Sequence, residues 1–243
     1  MDVNNIDPSM LEHIPAIAPP PGTVSNFVNP PSLDSQPRIV MYVMLPLTIV
    51  PLFLRLYTRA RIQRSWGADD YLVIVSMICV LAFCGIFLDL LEGPFGEHTW
   101  DVPVSRLTED YAKGNLASQC LYALSAIFVK VTLLVFYLRV FHPVHHTRVM
   151  IWVGIIFTAV FYVACSIATI VLYVPPKGQK NGWTSTKPES VTTALLLVPS
   201  IQGVVGVIID FYILVIPMHL VMGLHLPLGR KLSVCGIFFT GFM

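Results

Sequence analysis

Charge is scarce in this chain: only 12% of its residues are Asp, Glu, Lys or Arg, against about 25% in soluble domains. With 55% hydrophobic residues and a mean hydropathy of +0.73, this excludes an ordinary soluble domain and predicts a polytopic membrane protein. A net charge of +1, with no basic stripe interleaved with aromatics, argues against a nucleic-acid partner. No GxSxG, HExxH, Walker loop or Rossmann fingerprint occurs, so neither an enzyme nor a cofactor is expected. The cysteines (Cys79, Cys84, Cys120, Cys165 and Cys235) form no CxxC pair and share no zinc spacing with histidine, so they read as inert apolar side chains and no metal site is expected. No Asn-x-Ser/Thr sequon marks an outer face, and no basic n-region followed by an apolar run marks a signal peptide.

What is present is a series of apolar runs. Residues 1–38, rich in Pro and Asn, have too few contiguous apolar residues to repay ordering and are expected to form a disordered extracellular tail. A transmembrane domain over 39–243 follows. Its expected spans are Ile39–Leu54 (interrupted by Pro46 and Pro51), Tyr71 to about Leu91, Leu116–Leu138, Val149–Val174 and Val191–Met222. Leu232–Met243 looks like the start of a sixth span, cut short of the ~20 residues a crossing needs, which makes the domain C-terminally incomplete. The fold class is therefore all-α, a polytopic helix bundle with five complete spans and the start of a sixth.

The loops set the orientation. Arg55, Arg59, Arg61 and Arg64 crowd the first loop, Arg139 and Arg148 the third, and Arg230 and Lys231 the fifth. The second loop is acidic on balance, although Lys177, Lys180 and Lys187 in the fourth cut mildly against the pattern. Positive residues favour the cytoplasmic side, so the N-terminal tail is expected outside and the arginine hinge inside. The plasma membrane is the expected location, and lipid headgroups the expected contacts of Arg59 and Arg64.

Two intramembrane charges stand out. Lys130, at mid-helix, costs about 2.5–3.5 kcal/mol to insert on translocon scales and needs a partner. Asp210 lies at a similar depth on the fifth span, on a face shared with Gly203, Gly206 and Pro217. Steps of 100° place Gln119, Tyr122, Ala126, Lys130 and Tyr137 within one stripe of the third helix, so that stripe is expected to face the bundle. Asp69 and Asp70 open the second helix, where they are expected to cap it or to pair with Arg139. Asp89, Glu92, Glu97 and His98 are candidates for an external mouth, and His142, His145 and His146 read as solvated loop residues.

Three blocks together carry a family resemblance. They are Arg55-Leu-Tyr-Thr-Arg59 with Trp66-Gly-Ala-Asp-Asp70; Phe128-Val-Lys130 through Tyr137-Leu-Arg139-Val-Phe141; and Asp210 in a helix ending Val215-Ile-Pro217, followed by Arg230-Lys231 and Gly236 to Gly241. This order resembles the fungal rhodopsin-domain integral membrane proteins, which include appressorium-associated GPCR-like receptors, here without a preceding cysteine-rich domain. The resemblance implies a seven-helix rhodopsin-like fold and signalling, with a heterotrimeric G protein as partner by analogy. It also implies a switch role for Arg139 and a coupling surface that includes Arg55 and Arg59. Lys130 is on the wrong helix to carry retinal, so no photoreceptor is expected. The alternatives are a transporter or channel using Lys130 and Asp210, and a non-signalling membrane scaffold.

Overall fold

The computed structural model describes residues 12–140, 145–176, 183 and 189–223. Long helices dominate these residues: α1 (Ser35–Tyr57), α2 (Ala68–Glu92), α3 (Glu109–Val140), α4 (His145–Tyr173) and α5 (Glu189–Gly223). Five helical segments are long and apolar enough to cross a membrane, with mean hydropathies of 2.1 to 2.7 over their best windows. Among the described residues there is no strand, only isolated bridges, so the all-α polytopic bundle is the architecture. The sixth run, Leu232–Met243, lies outside the described residues, as do Cys235, His142 and the Arg230–Lys231 pair.

Each helix starts before the apolar stretch that announces it. Polar residues at a membrane surface keep helical hydrogen bonding although hydropathy does not count them. α1 therefore starts at Ser35 rather than Ile39, and continues past Tyr57 as a π-helical turn, Thr58–Gln63. It accommodates Pro46 and Pro51 within the helix. The π turn ends at Arg64 in the left-handed region, φ 47°, which breaks the helix and lets α2 begin three residues after Ser65. No residue of the most apolar window of α1 is buried.

By contacts the chain divides into two units. The first takes residues 1–65, 80–122 and 169–195, and the second residues 66–79, 123–168 and 196–243. In the first, the N-terminal segment lies along the residues that follow α2. Ala16 N–H donates to Val102 O at 2.9 Å, Val104 N–H to Ile14 O at 3.0 Å, and Leu33 N–H to Gly96 O at 2.9 Å. Asn26 N–H donates to the buried Asp101 carboxylate at 2.8 Å. Arg38 reaches the last carbonyls of α2, with Nη2 at 2.7 Å from Leu91 O. Gly96, at φ +105°, lets the strap approach closely, since a Cβ there would stand 3.1 Å from the Asp34 nitrogen.

Within the stretch expected to be a disordered tail, Ile14, Ala16, Asn26, Leu33 and Arg38 make these contacts. The compositional argument counts side-chain burial, whereas this segment is fastened largely through its backbone. α1 begins at Ser35, within that stretch.

The second unit contains the core. Ala123, Leu134 and Tyr137 of α3 pack with Ile151 and Tyr162 of α4 and with Ile209, Ile213 and Ile216 of α5. Gly154 permits the approach of α4 and α5, since a Cβ there would meet the Tyr212 ring at 2.9 Å. Tyr212 then donates its hydroxyl proton to Met150 O at 2.8 Å.

Candidate functional site

Two charged centres lie within the second unit. The first forms where α2 begins. Gly67 is its N-cap position, and Asp70, three residues on, accepts the Gly67 N–H at 3.0 Å. This is the reciprocal half of a capping box, and it satisfies a donor that the helix start would otherwise leave open. Asp69, one residue earlier, accepts from Arg139 Nη1 of α3 at 3.0 Å, while Asp70 lies 3.8 Å from the same nitrogen. The two carboxylates are 1% and 0% exposed, so the guanidinium neutralises charge that has no access to water. Capping and pairing, the alternatives weighed for Asp69 and Asp70, are both realised: one by Asp70, the other chiefly by Asp69.

Gly67 completes this knot, and nothing in a single sequence assigned it a role. A Cβ at Gly67 would fall inside van der Waals contact of both Asp69 Oδ1 and Arg139 Nη1. Only glycine leaves the guanidinium room to lie over the helix start. The available signal was the Trp66-Gly-Ala-Asp-Asp70 block itself, with a glycine directly ahead of a carboxylate-rich helix start.

The second centre is the intramembrane pair. Lys130 is 7% exposed, and its ammonium donates to Asp210 Oδ1 and, at 3.1 Å, to Gly206 O. The predicted partners therefore meet, and the backbone of α5 contributes a second acceptor. Gly206 exposes that carbonyl by having no side chain, though a Cβ there would stand 3.0 Å from the Tyr162 hydroxyl. Between the two centres, Ser76 of α2 and Thr132 of α3 lie 3.3 Å apart through their hydroxyls. Thr132 also donates to Phe128 O at 2.6 Å. Lys130 and Arg139 are thus both anchored on α3, about 13 Å apart along its axis at 1.5 Å per residue.

The other expected residues divide. Tyr137 is buried in the core. Gln119 donates through Nε2 to the Tyr173 hydroxyl at 3.1 Å, with Asn115 Nδ2 donating to the same oxygen at 3.1 Å. Tyr122 departs from the expected inward stripe: it is 47% exposed and touches Phe83 ring to ring at 6.1 Å. A 100° step places it at the stripe's edge, 60° from Gln119, and there an apolar ring meets lipid at no cost. Arg55 lies in the last turn of α1, and Arg59 Nη1 donates to Gln63 Oε1 at 2.9 Å. Both belong to the first unit, whereas Asp69, Asp70 and Arg139 belong to the second.

Among the expected mouth residues, Asp89 and Glu92 are exposed. Glu97 pairs with Arg106 at 2.9 Å, and the exposed His98 stacks on Trp100 with ring centroids 4.4 Å apart. Glu97 also borders a half-open cavity of about 180 Å³ that includes Phe95, Thr99, Leu107 and Tyr111. Cys79, Cys84 and Cys120 are free thiols. Among the described residues no group of three or more His, Cys, Asp or Glu is placed to hold a metal ion.

Residues 54–243 match the fungal rhodopsin domain, a stretch that takes in both centres and all three sequence blocks. The chain belongs to the fungal rhodopsin domain family. One relative is the Fugralins biosynthesis cluster protein 2 of Gibberella zeae, 21% identical over 232 residues, which cover 94% of this chain and 58% of that protein. The chain therefore spans somewhat more than half the length of the curated relative it matches. No solved structure gives a significant match. The arrangement of Gly67, Asp69, Asp70 and Arg139 thus ties together two of the blocks through which this fungal rhodopsin domain resembles its family.

Proposed function

We propose that this fungal rhodopsin-domain protein is a GPCR-like membrane sensor with its N-terminus outside, in the plasma membrane, signalling through cytoplasmic loops. The observation that carries the reading is Arg139 bridging to Asp69 and Asp70 at the start of α2. A guanidinium held by two buried carboxylates is a contact with two distinct states, closed and open, whose balance a distant ligand can bias. The positive-inside pattern supports placing this knot on the cytoplasmic face. A cue arriving outside or between the helices shifts the knot, and a G protein reads the loops around Arg55, Arg59 and Arg139. The receiving partner is taken from the family resemblance, and the ligand is unassigned.

The expected behaviour is that opening the knot activates. Asp69→Asn and Gly67→Ala, in the full-length protein in fungal membranes, should each raise ligand-independent nucleotide exchange on co-expressed G protein severalfold. Arg139→Gln also opens the knot but removes the guanidinium that the G protein is proposed to read, so it should abolish exchange. Equal exchange in all variants, at equal protein levels, would sink the sensor reading.

A second reading draws on one specific finding, the biosynthesis-cluster name of the relative. On that reading the protein is a non-signalling scaffold for a membrane-bound biosynthetic enzyme. The same variants would then change protein level or enzyme retention in the membrane, with no effect on nucleotide exchange. A transporter using Lys130 and Asp210 would require water to reach Lys130 from each side in alternation.

A further inference from the structure

Within the first unit, the loop from α2 to α3 folds around the half-open cavity of about 180 Å³. An apolar cavity of about 150 Å³ admits benzene, so this one has room for a single small ring with a short substituent. Its walls are mostly apolar and are fixed by contacts outside it. Phe95 meets Phe87 edge-on, with ring centroids 5.0 Å apart. The Tyr111 ring stands against Gly93, 3.8 Å from where a Cβ would lie. Leu107 N–H closes the short helical turn Val104–Arg106 by donating to Val104 O at 3.1 Å. The strap holds two more lining residues through their backbone: Leu33 N–H donates to Gly96 O and Ala16 N–H to Val102 O, each at 2.9 Å. The cavity is therefore shaped before anything enters it, which lowers the cost of binding.

The polar side chains of the lining are Glu97, Thr99 and Tyr111. The Glu97 side chain is 12% exposed, and both its oxygens accept from one nitrogen, Arg106 Nη1, at 2.9 and 3.1 Å. An ionised carboxylate offers about four lone-pair sites, so the salt bridge leaves Glu97 able to accept further hydrogen bonds. Its charge, however, is already matched. A second cation here would have no charge left to balance it, and an anion would face the carboxylate. Tyr111 uses its main-chain N–H on Thr108 Oγ1 at 3.2 Å, and its hydroxyl bonds to none of the described residues. A hydroxyl on an uncharged ring meets both needs, donating to Glu97 and accepting from Tyr111.

We infer that this cavity binds a small uncharged ring compound carrying a hydroxyl, of the phenol class. The ring packs on Phe95, Val102 and Leu107, and the hydroxyl is taken by Glu97 and Tyr111. Gly96 and Val102 are at once cavity wall and strap anchor, so the strap cannot lift without loosening the site. An occupant therefore also ties the strap down. The site goes beyond the sensor reading and does not depend on it, because binding is measured with no G protein present.

Saturation-transfer NMR titration of the full-length protein in nanodiscs, against empty nanodiscs, tests this with 4-hydroxybenzyl alcohol as probe. The anion 4-hydroxybenzoate and the cation 4-hydroxybenzylamine serve as charged counterparts of similar size. The alcohol should bind saturably and at least about tenfold more tightly than either, since neither charge finds a free partner in the cavity. Tyr111→Phe keeps the ring wall and removes one oxygen, and should weaken binding about fivefold, the worth of one hydrogen bond. Leu107→Trp fills the cavity and should abolish binding. With the alcohol at ten times its dissociation constant, proteolysis within residues 16–33 should slow about tenfold. No saturable binding to the wild-type protein would overturn the inference, as would a charged counterpart that binds equally well or a Tyr111→Phe variant of unchanged affinity. Unchanged proteolysis with the alcohol bound would overturn the link to the strap.

Discussion

Lys130 is the residue whose surroundings leave least freedom. Its ammonium is enclosed and its counter-charge comes from another helix, so removing one partner strands the other. Asp210 keeps a side chain that is 40% exposed, which softens but does not remove the effect. Lys130→Ala and Asp210→Ala are each expected to cost about 3 kcal/mol, the lower end for breaking a buried pair. A Lys130→Met/Asp210→Leu double variant should recover most of that loss. Thermal unfolding of the three variants in one detergent checks this, and additive losses in the double variant would remove the pair from the account. This pairing was legible in the sequence because an uncompensated charge in a span demands a partner, and Asp210 was the best placed. The Gly206 carbonyl was not legible, because a backbone acceptor leaves no mark in composition. Tyr122 misled for the opposite reason: angular position ranks a residue near a stripe, while packing decides at the stripe's edge.

At the level of elements, the informative segment is the strap over residues 14–34 in the first unit. Its clearest side-chain tie to the loop after α2 is the Asn26 N–H to Asp101 bond at 2.8 Å. A hydrogen bond to a charged acceptor contributes about 1.5 kcal/mol or more, so Asp101→Ala should open the middle of the strap roughly tenfold more often. Limited proteolysis of intact cells or outside-out vesicles should then cut within residues 16–33 correspondingly faster. Unchanged cleavage would mean that the backbone bonds alone hold the strap. The helices themselves were legible from hydropathy, yet their ends were not. Ser35, the π turn and the helical extension to Glu109 consist of polar residues that stay helical at a membrane surface. The strap escaped composition altogether, because its fastening uses peptide groups that every residue carries.

For the whole molecule, the proposal that a single experiment tests most directly is orientation. On the proposed orientation, Ser32 lies outside and Ser65, next to the arginine hinge in sequence, lies inside. Single-cysteine variants Ser32→Cys and Ser65→Cys should therefore react oppositely with a membrane-impermeant maleimide. The first should label in intact cells, and the second only after permeabilisation. The reverse pattern would invert the topology and place the Asp69–Asp70–Arg139 knot away from any cytoplasmic partner. The family was readable from three separated blocks because membrane bundles concentrate their polar residues where helices meet or end. Within those blocks Lys130, Asp210, Asp69, Asp70 and Arg139 all find charged partners in the structure.

The strap also bears on how such a sequence can drift. Ile14, Ala16 and Leu33 are hydrogen-bonded to the loop after α2 through main-chain groups, so exchanging their side chains leaves those bonds untouched. Adding or deleting one residue between Ala16 and Leu33 would instead move one anchor out of reach of its carbonyl. Divergence in this segment should therefore accumulate as substitutions at constant spacing, and a tag or label is better introduced there by replacement than by insertion.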